Sequence, residues 1–274
     1  MNHDALVACC EQSPAKVGVH DREGWLSIFA EDGGIEDPVG SPPVWRRDGS
    51  LGRFWDTFIA PHGIRFEVAR DCFLGHDVMR DATIHTTVGP GVVVPVEAYL
   101  LYQLVERDGR LQVRRMAAHW QLGRLSLGAL ALGPRAWLPM TLLFARMLRR
   151  MGLLWVGGYL ASLWSGIGAR GVAAAKELAR AIESRDAAAL TALFADDAVV
   201  ELGATPLSPS ALLHALPPTS RLAIEAPVSA GWTTSFRFRI DGPAPRAGLA
   251  LLEFARSSRI ARARFFASAT TDTE

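Results

Sequence analysis

The sequence predicts an α+β protein: two similar domains, one on each side of an apolar helical connector. Three observations predict it: an uneven distribution of charge, an internal repeat, and in each repeat a helical pattern followed by alternating strands. At 274 residues the chain is long enough for two domains. It is 49% hydrophobic and 21% charged with a mean hydropathy of +0.15, which excludes a disordered or fibrous chain. The formal charge of +1 excludes a global field that recruits nucleic acid.

Charge divides the chain into three. Residues 1–122 carry 12 basic and 17 acidic side chains, and residues 171–274 carry 11 of each. Between them, residues 123–170 hold Arg124, Arg135, Arg146, Arg149, Arg150 and Arg170 and no acid. This block is also the most apolar, with LSLGALALG, AWLPMTLLFA and a run uncharged from Met151 to Ala169. The expected domains are therefore 1–122 and 171–274, with 123–170 as connector.

The flanks repeat at an offset of 165 residues, HDREGWLSIFAEDGGIEDPVGSPP from His20 aligning with RDAAALTALFADDAVVELGATPL from Arg185. Phe29 falls on Phe194, Asp32 on Asp197, Ile35 on Val200 and Glu36 on Glu201. Helical windows are expected at Asp21 to Ala30 and Ala173 to Phe194, each leading into a short strand. Ser50 is placed to cap a helix bearing Leu51, Phe54, Trp55 and Phe58 at i, i+3, i+4, i+7. Strand patterns follow at Ile64–Leu74, Val78–Val88, Val92–Glu106 and Arg110–Leu122, punctuated by Gly75, Gly89-Pro90 and the hairpin dipeptide Asp108-Gly109.

With these residues in place, FAEDGGIEDPVGSPP, the helix carrying Phe54-Trp55 and the later DGRLQVRRMAAHW resemble the ketosteroid isomerase group of the nuclear transport factor 2-like (SnoaL-like) superfamily. The resemblance covers most of residues 18–122, and I-E-D-P-V-G at 35–40 is its most specific part. It implies cone-shaped domains, each a curved, antiparallel-rich sheet wrapped around helices with an apolar pocket at one end. It also implies that Asp37 is a general base, relaying a proton from the carbon α to a ketone to a carbon further along the conjugated system. Pro38 and Gly40 would hold the local turn.

The enolate formed by such a base needs hydrogen-bond donors, and here the sequence departs from the family. The position of the family's helical tyrosine falls near Ser13, and that of its neutral acid falls on Leu101. Tyr99 and Gln103 share a strand face with Leu101, and they and His119 are the candidate donors. Trp25, Phe29, Phe54, Trp55, Phe58, Leu101 and Trp120 are the candidate pocket walls. In the second copy Leu202 stands at the Asp37 position and Gly203 at that of Pro38, so this copy is read as a catalytically silent, degenerate partner.

The expected function is that of a steroid Δ-isomerase-like enzyme on an apolar polycyclic ketone. The alternatives are a non-catalytic carrier of a steroid-like ligand, or a SnoaL-like cyclase or hydratase-type lyase. No cofactor and no metal are expected, since His62, His76, His85 and His119 lack ligand spacing. Cys9, Cys10 and Cys72 form no disulfide framework, and the N-terminus lacks a signal pattern, so a cytoplasmic protein is expected. Arg256, Arg259, Arg262 and Arg264 read as one solvated strand face. The connector has three readings: a membrane span over Met151–Ala169, a helix lying in a lipid interface through 136–169, or a helix pair packed between domains. In the interfacial reading Arg146, Arg149 and Arg150 share one face, with Phe144, Met147, Leu148 and Met151 turned elsewhere. The expected partners are thus an apolar small molecule, a peripheral membrane contact and a second domain or copy, with no nucleic acid.

Overall fold

The protein was described from a computed structural model covering residues 2–89, 92–121, 134–203, 205–243 and 245–268. It is α+β, with helices and mostly antiparallel strands. Contacts divide it into two units, one of residues 1–70 and 76–164, the other of residues 71–75 and 165–274.

The first unit opens with α1, His3–Gly18, whose first turn is capped by the Asn2 side chain accepting from the Asp4 and Ala5 N–H groups. Asp21 does the same for the short α2, Arg22–Ser27, through Gly24 N–H. The expected window to Ala30 ends early because Phe29 and Ala30 already belong to β1, Phe29–Glu36. After β2, Val44–Trp45, comes α3, Ser50–Phe54, which continues as a π-turn over Trp55–Ile59. Ser50 is not the cap: Gly49 takes that position at φ +72°, and the Ser50 hydroxyl instead bonds Trp45 and Asp48.

Four long strands follow: β3, Gly63–Leu74; β4, Asp77–Gly89; β5, Val92–Arg107; and β6, Arg110–His119. Both residues of the β5–β6 turn, Asp108 and Gly109, have positive φ, as a tight hairpin with right-handed twist requires. The strand order is β2-β1-β6-β5-β4-β3, with β1 parallel to β6 and the other pairs whose register is given, β1–β2, β4–β5 and β5–β6, antiparallel. The expected turn residue Pro90, the strand end at Leu122 and the run LSLGALALG lie outside the described residues.

Two helices of the connector complete this unit: α4, Pro134–Met151, and α5, Leu153–Ala161. The run from Met151 to Ala169 is not one span, because Gly152 at φ +87° separates α4 from α5 and α5 ends at Ala161. Among the described residues no helix is long and apolar enough to cross a membrane.

The second unit contains α6, Ala169–Ser184; α7, Ala187–Leu193; β7, Phe194–Glu201; α8, Pro209–Ala215; and β8 to β11 at Arg221–Ala230, Thr233–Asp241, Arg246–Phe254 and Ile260–Ser268. Arg185, left-handed at φ 57°, breaks the expected single helix of 173–194 into two. Its sheet runs β8-β9-β10-β11, with β7 parallel to β11. Leu178, Phe194, Phe236 and Ile260 lie in its buried core. The arginines near its end are not one solvated face. Arg264 is buried on Glu201, Arg262 bonds the same carboxylate, and Arg256 stacks over Trp232.

The two units share a detail. In the first, Gly34, Ile35 and Glu36 lie beside Arg115, Met116 and Ala117, after a register shift that follows Phe29. In the second, Val199, Val200 and Glu201 lie beside Arg262, Ala263 and Arg264, after a shift that follows the Phe194 pair. Each glutamate meets the arginine of the facing strand: Glu36 with Arg115 at 2.8 Å, Glu201 with Arg262 at 2.8 Å.

Candidate active site

The I-E-D-P-V-G motif forms the end of β1 and the turn after it. Glu36 holds that turn from below. One carboxylate oxygen accepts from Arg115 on β6 and the other from the Gly40 N–H, both at 2.8 Å. Val39 N–H donates to Ala118 O, and the Ser41 hydroxyl closes on Pro38 O. Gly40 at φ 98° is where the turn demands glycine. Asp37, at the start of this framed turn, is joined to Pro38 by a cis peptide bond.

Asp37 is half-buried. Its Oδ1 accepts a 2.6 Å hydrogen bond from the indole N–H of Trp120, just past the end of β6. Burial pushes its pKa up to about 6, against the opposing pull of the Trp120 bond. A carboxyl titrating there is mostly ionised at neutral pH, yet accepts a proton more readily than a solvated aspartate.

A residue that no sequence motif marks feels the charge of Asp37. Tyr159, on α5, has its pKa raised first by burial and then by the negative charge of Asp37. Its hydroxyl therefore stays protonated at neutral pH. Trp155, one helical turn earlier, stacks on Tyr159 with ring centroids 5.2 Å apart and donates its indole N–H to Pro42 O at 3.0 Å. Phe58 meets both rings, at 5.9 Å from Trp155 and 6.2 Å from Tyr159, and packs at a tilt on Phe54 at 4.8 Å. Gly158 lets α5 approach this closely: a Cβ there would sit 2.5 Å from Pro42 Cγ.

Of the expected wall residues, Phe54 and Phe58 join this cluster and Trp120 bonds Asp37. Trp25, Phe29 and Trp55 form a separate, fully buried group, with Trp25 4.9 Å from Phe29 and 5.3 Å from Trp55. Ser13, where the family's tyrosine position falls, accepts from the Trp25 indole at 3.0 Å and so serves packing.

The expected donors share one face of the sheet. Arg80 reaches Glu11 of α1, and its neighbours across the sheet are Leu100 and Ala118, so that face is turned to α1. Ile35, beside Met116, shares that face, and Asp37 lies just past the end of β1. Tyr99 pairs with His119, Leu101 with Ala117 and Gln103 with Arg115, which puts all four expected residues on the opposite face. Gln103 spends its amide on Asp77 at 3.0 Å. The structure thus joins Trp120 to Asp37 and Phe58 to Tyr159, and sets Tyr99, Leu101, Gln103 and His119 on one face of the sheet. Parity correctly groups these residues, but it is silent on which face turns to the helices. Tyr159 had one sequence signal: it is one of only three tyrosines and falls four residues after Trp155 in a helix.

An open cleft of about 780 Å³ lies apart from this group, lined by Asn2, Leu6, Cys9, Gln12 and Arg110 among others. Cys9 there has its thiol pushed up to about 11 by burial, so it is no nucleophile at neutral pH. Among the described residues no group of three or more histidine, cysteine or carboxylate side chains could hold a metal.

No family model matches the chain. No curated protein matches it either. Among solved structures it is similar to a Mycobacterium tuberculosis protein in complex with estradiol-17beta-hemisuccinate, at 25% identity over 43% of this chain and 95% of that one, with a TM-score of 0.38. It is also similar to a Delta 5-3-ketosteroid isomerase from Mycobacterium sp., at 26% identity over 42% and 92%, TM-score 0.37. A third is an epoxide hydrolase/cyclase-like enzyme of pyran ring formation in the polyether salinomycin, at 18% identity over 44% and 94%, TM-score 0.39.

Proposed function

We propose that the chain is a proton-transfer enzyme of the steroid Δ-isomerase kind, acting on an apolar polycyclic ketone, with Asp37 as general base and Tyr159 as donor to the enolate. The observation that carries this reading is Asp37 on the framed turn after β1, bonded by the Trp120 indole at 2.6 Å and raised to about 6 by burial, with the neutral Tyr159 of the aromatic cluster within range of its charge. With Oδ1 occupied by Trp120, Oδ2 is the oxygen left to take a proton from the carbon α to the ketone. The C–H electron pair moves into the enolate, and the developing charge on oxygen accepts from the Tyr159 hydroxyl. The protonated Asp37 then returns the proton to the far carbon of the dienolate, so the double bond shifts and the carboxylate is regenerated. Phe54, Phe58 and Trp155 supply the apolar surroundings that such a ligand needs.

We further propose that the domains are 1–122 and 171–274, two copies of one cone-shaped fold joined by the 123–170 connector, and that the second copy is degenerate. Supporting this are the shared parallel register and the paired Glu36–Arg115 and Glu201–Arg262 bridges. Leu202, buried where Asp37 stands in the first copy, leaves the second without a base.

The test is a panel of 3-keto steroids carrying an unconjugated double bond, followed by enone absorbance beside a binding assay. Turnover by the wild type, lost in Asp37→Asn with affinity retained, supports the reading. Tight binding with no turnover by the wild type makes the protein a carrier instead.

A further inference from the structure

The connector helices have two apolar sides. Met147 of α4 and Val156 of α5 are buried, and Trp155 and Tyr159 join the cluster at Asp37. On the other side Leu153, Leu154 and Trp164 are 76%, 93% and 83% exposed, and Leu138 and Leu142 of α4 are exposed with them. Leu153 and Leu160 recur at the spacing of one face of α5, as do Leu138, Leu142 and Arg149 on α4, and Trp164 stands in the turn after α5. Of the residues the sequence sets apart from the arginines, Met147 packs inward, Met151 is half-buried, and Phe144 and Leu148 stay exposed. Arg150, grouped there with the other arginines, is engaged by Asp56 at 3.1 Å.

Folded proteins seldom leave so many large apolar side chains in water along one stretch of chain, and such a surface marks a docking site. Charge identifies what docks. On α4 and α5 the side chains of Arg146 and Arg149 stand with no acid on either helix, so the surface complements an anionic one. A second copy applied to the same surface would bring like charges together. The nine residues of α5 reach about 14 Å, far short of the ~30 Å of a bilayer core. Leucine and tryptophan beside arginine suit a helix lying in the headgroup boundary.

We propose that the outer face of α4 and α5 docks the protein on an anionic lipid surface, with Leu153, Leu154 and Trp164 inserted and Arg146 and Arg149 at the headgroups. The inner face of the same α5 carries Tyr159, so a docked molecule presents the Asp37 site to ligands dissolved in the bilayer. That consequence rests on the proposed function; the docking itself does not.

The experiment is flotation of the full chain with vesicles of phosphatidylcholine alone and of phosphatidylcholine with phosphatidylserine. The wild type is expected to float with the anionic vesicles. Arg146→Gln with Arg149→Gln should weaken that binding about thirty-fold, at about 1 kcal/mol per arginine. Leu154→Glu with Trp164→Glu should abolish it while the melting temperature stays near wild type, since both side chains stand in solvent. A wild type that does not float overturns the proposal. So does a wild type that self-associates and is made monomeric by the Leu154→Glu, Trp164→Glu pair, because the patch then joins two copies. Ketone binding measured without vesicles separates the two readings: flotation with no ketone binding upholds docking and sinks the pocket, and ketone binding with no flotation does the reverse.

Discussion

At Asp37, burial and hydrogen bonding pull the carboxyl in opposite directions, and burial wins. Folding raises its pKa from 3.8 to about 6, so the native state holds this proton more tightly than the unfolded chain does. The ionised Asp37 therefore costs stability above about pH 6, and the cost is relieved as pH falls through 6 towards 4. Asp37→Asn is expected to raise stability at neutral pH by about 1–3 kcal/mol while lowering turnover by ~10²–10⁴. Thermal melts across pH check the first half: the stabilisation must vanish in acid. Turnover should rise with pH through about 6 and stay level above it, because Tyr159 keeps its proton well into the alkaline range. Trp120→Phe removes the one bond that lowers the Asp37 pKa, so the midpoint of that profile should move up. Tyr159→Phe should cost ~10²–10³ in kcat with little change in KM, since its bond is made to charge that appears only in the transition state.

Element by element, the hairpins were the most legible part of the sequence. Asp108-Gly109 and Gly75 mark turns that need positive φ, and the strands between them alternate as expected. The Ser50 helix was found but its cap was not, because Gly49 offers the left-handed start and frees Ser50 to bond Trp45 and Asp48. The role of α5 was hidden for a different reason. Tyr159 is remote from Asp37 in the chain, and no local pattern reports a contact at that separation. Its placement rests on Gly158 against Pro42, the Trp155 bond to Pro42 O, and the Arg150–Asp56 bridge of α4. Gly158→Val should force α5 away from Pro42, with an overpacking cost of about 1–3 kcal/mol. The expected result is a loss of turnover resembling that of Tyr159→Phe, measured beside a melt that shows the unit still folded.

For the whole molecule, the repeat in the sequence marks the proposed second copy, and Leu202 marks its silence. Leu202 is buried, so Leu202→Asp should destabilise the protein by about 3 kcal/mol or more and give no second activity. An active Asp37→Asn, Leu202→Asp double variant would contradict that assignment. What composition could not supply was the direction of the connector's faces. Charge showed that 123–170 is basic and apolar. Only packing shows that one side of α5 lies against Phe58 and Pro42 while the other stands in water. The central claim is that Asp37 removes a proton from carbon beside a ketone. Deuterium incorporation at the α-carbon of a 3-keto steroid in D₂O, followed by NMR, reads that step even where no double bond moves. The account predicts fast exchange with the wild type, rising through about pH 6, and exchange slower by ~10² or more with Asp37→Asn. Equal exchange rates in the two proteins would contradict it.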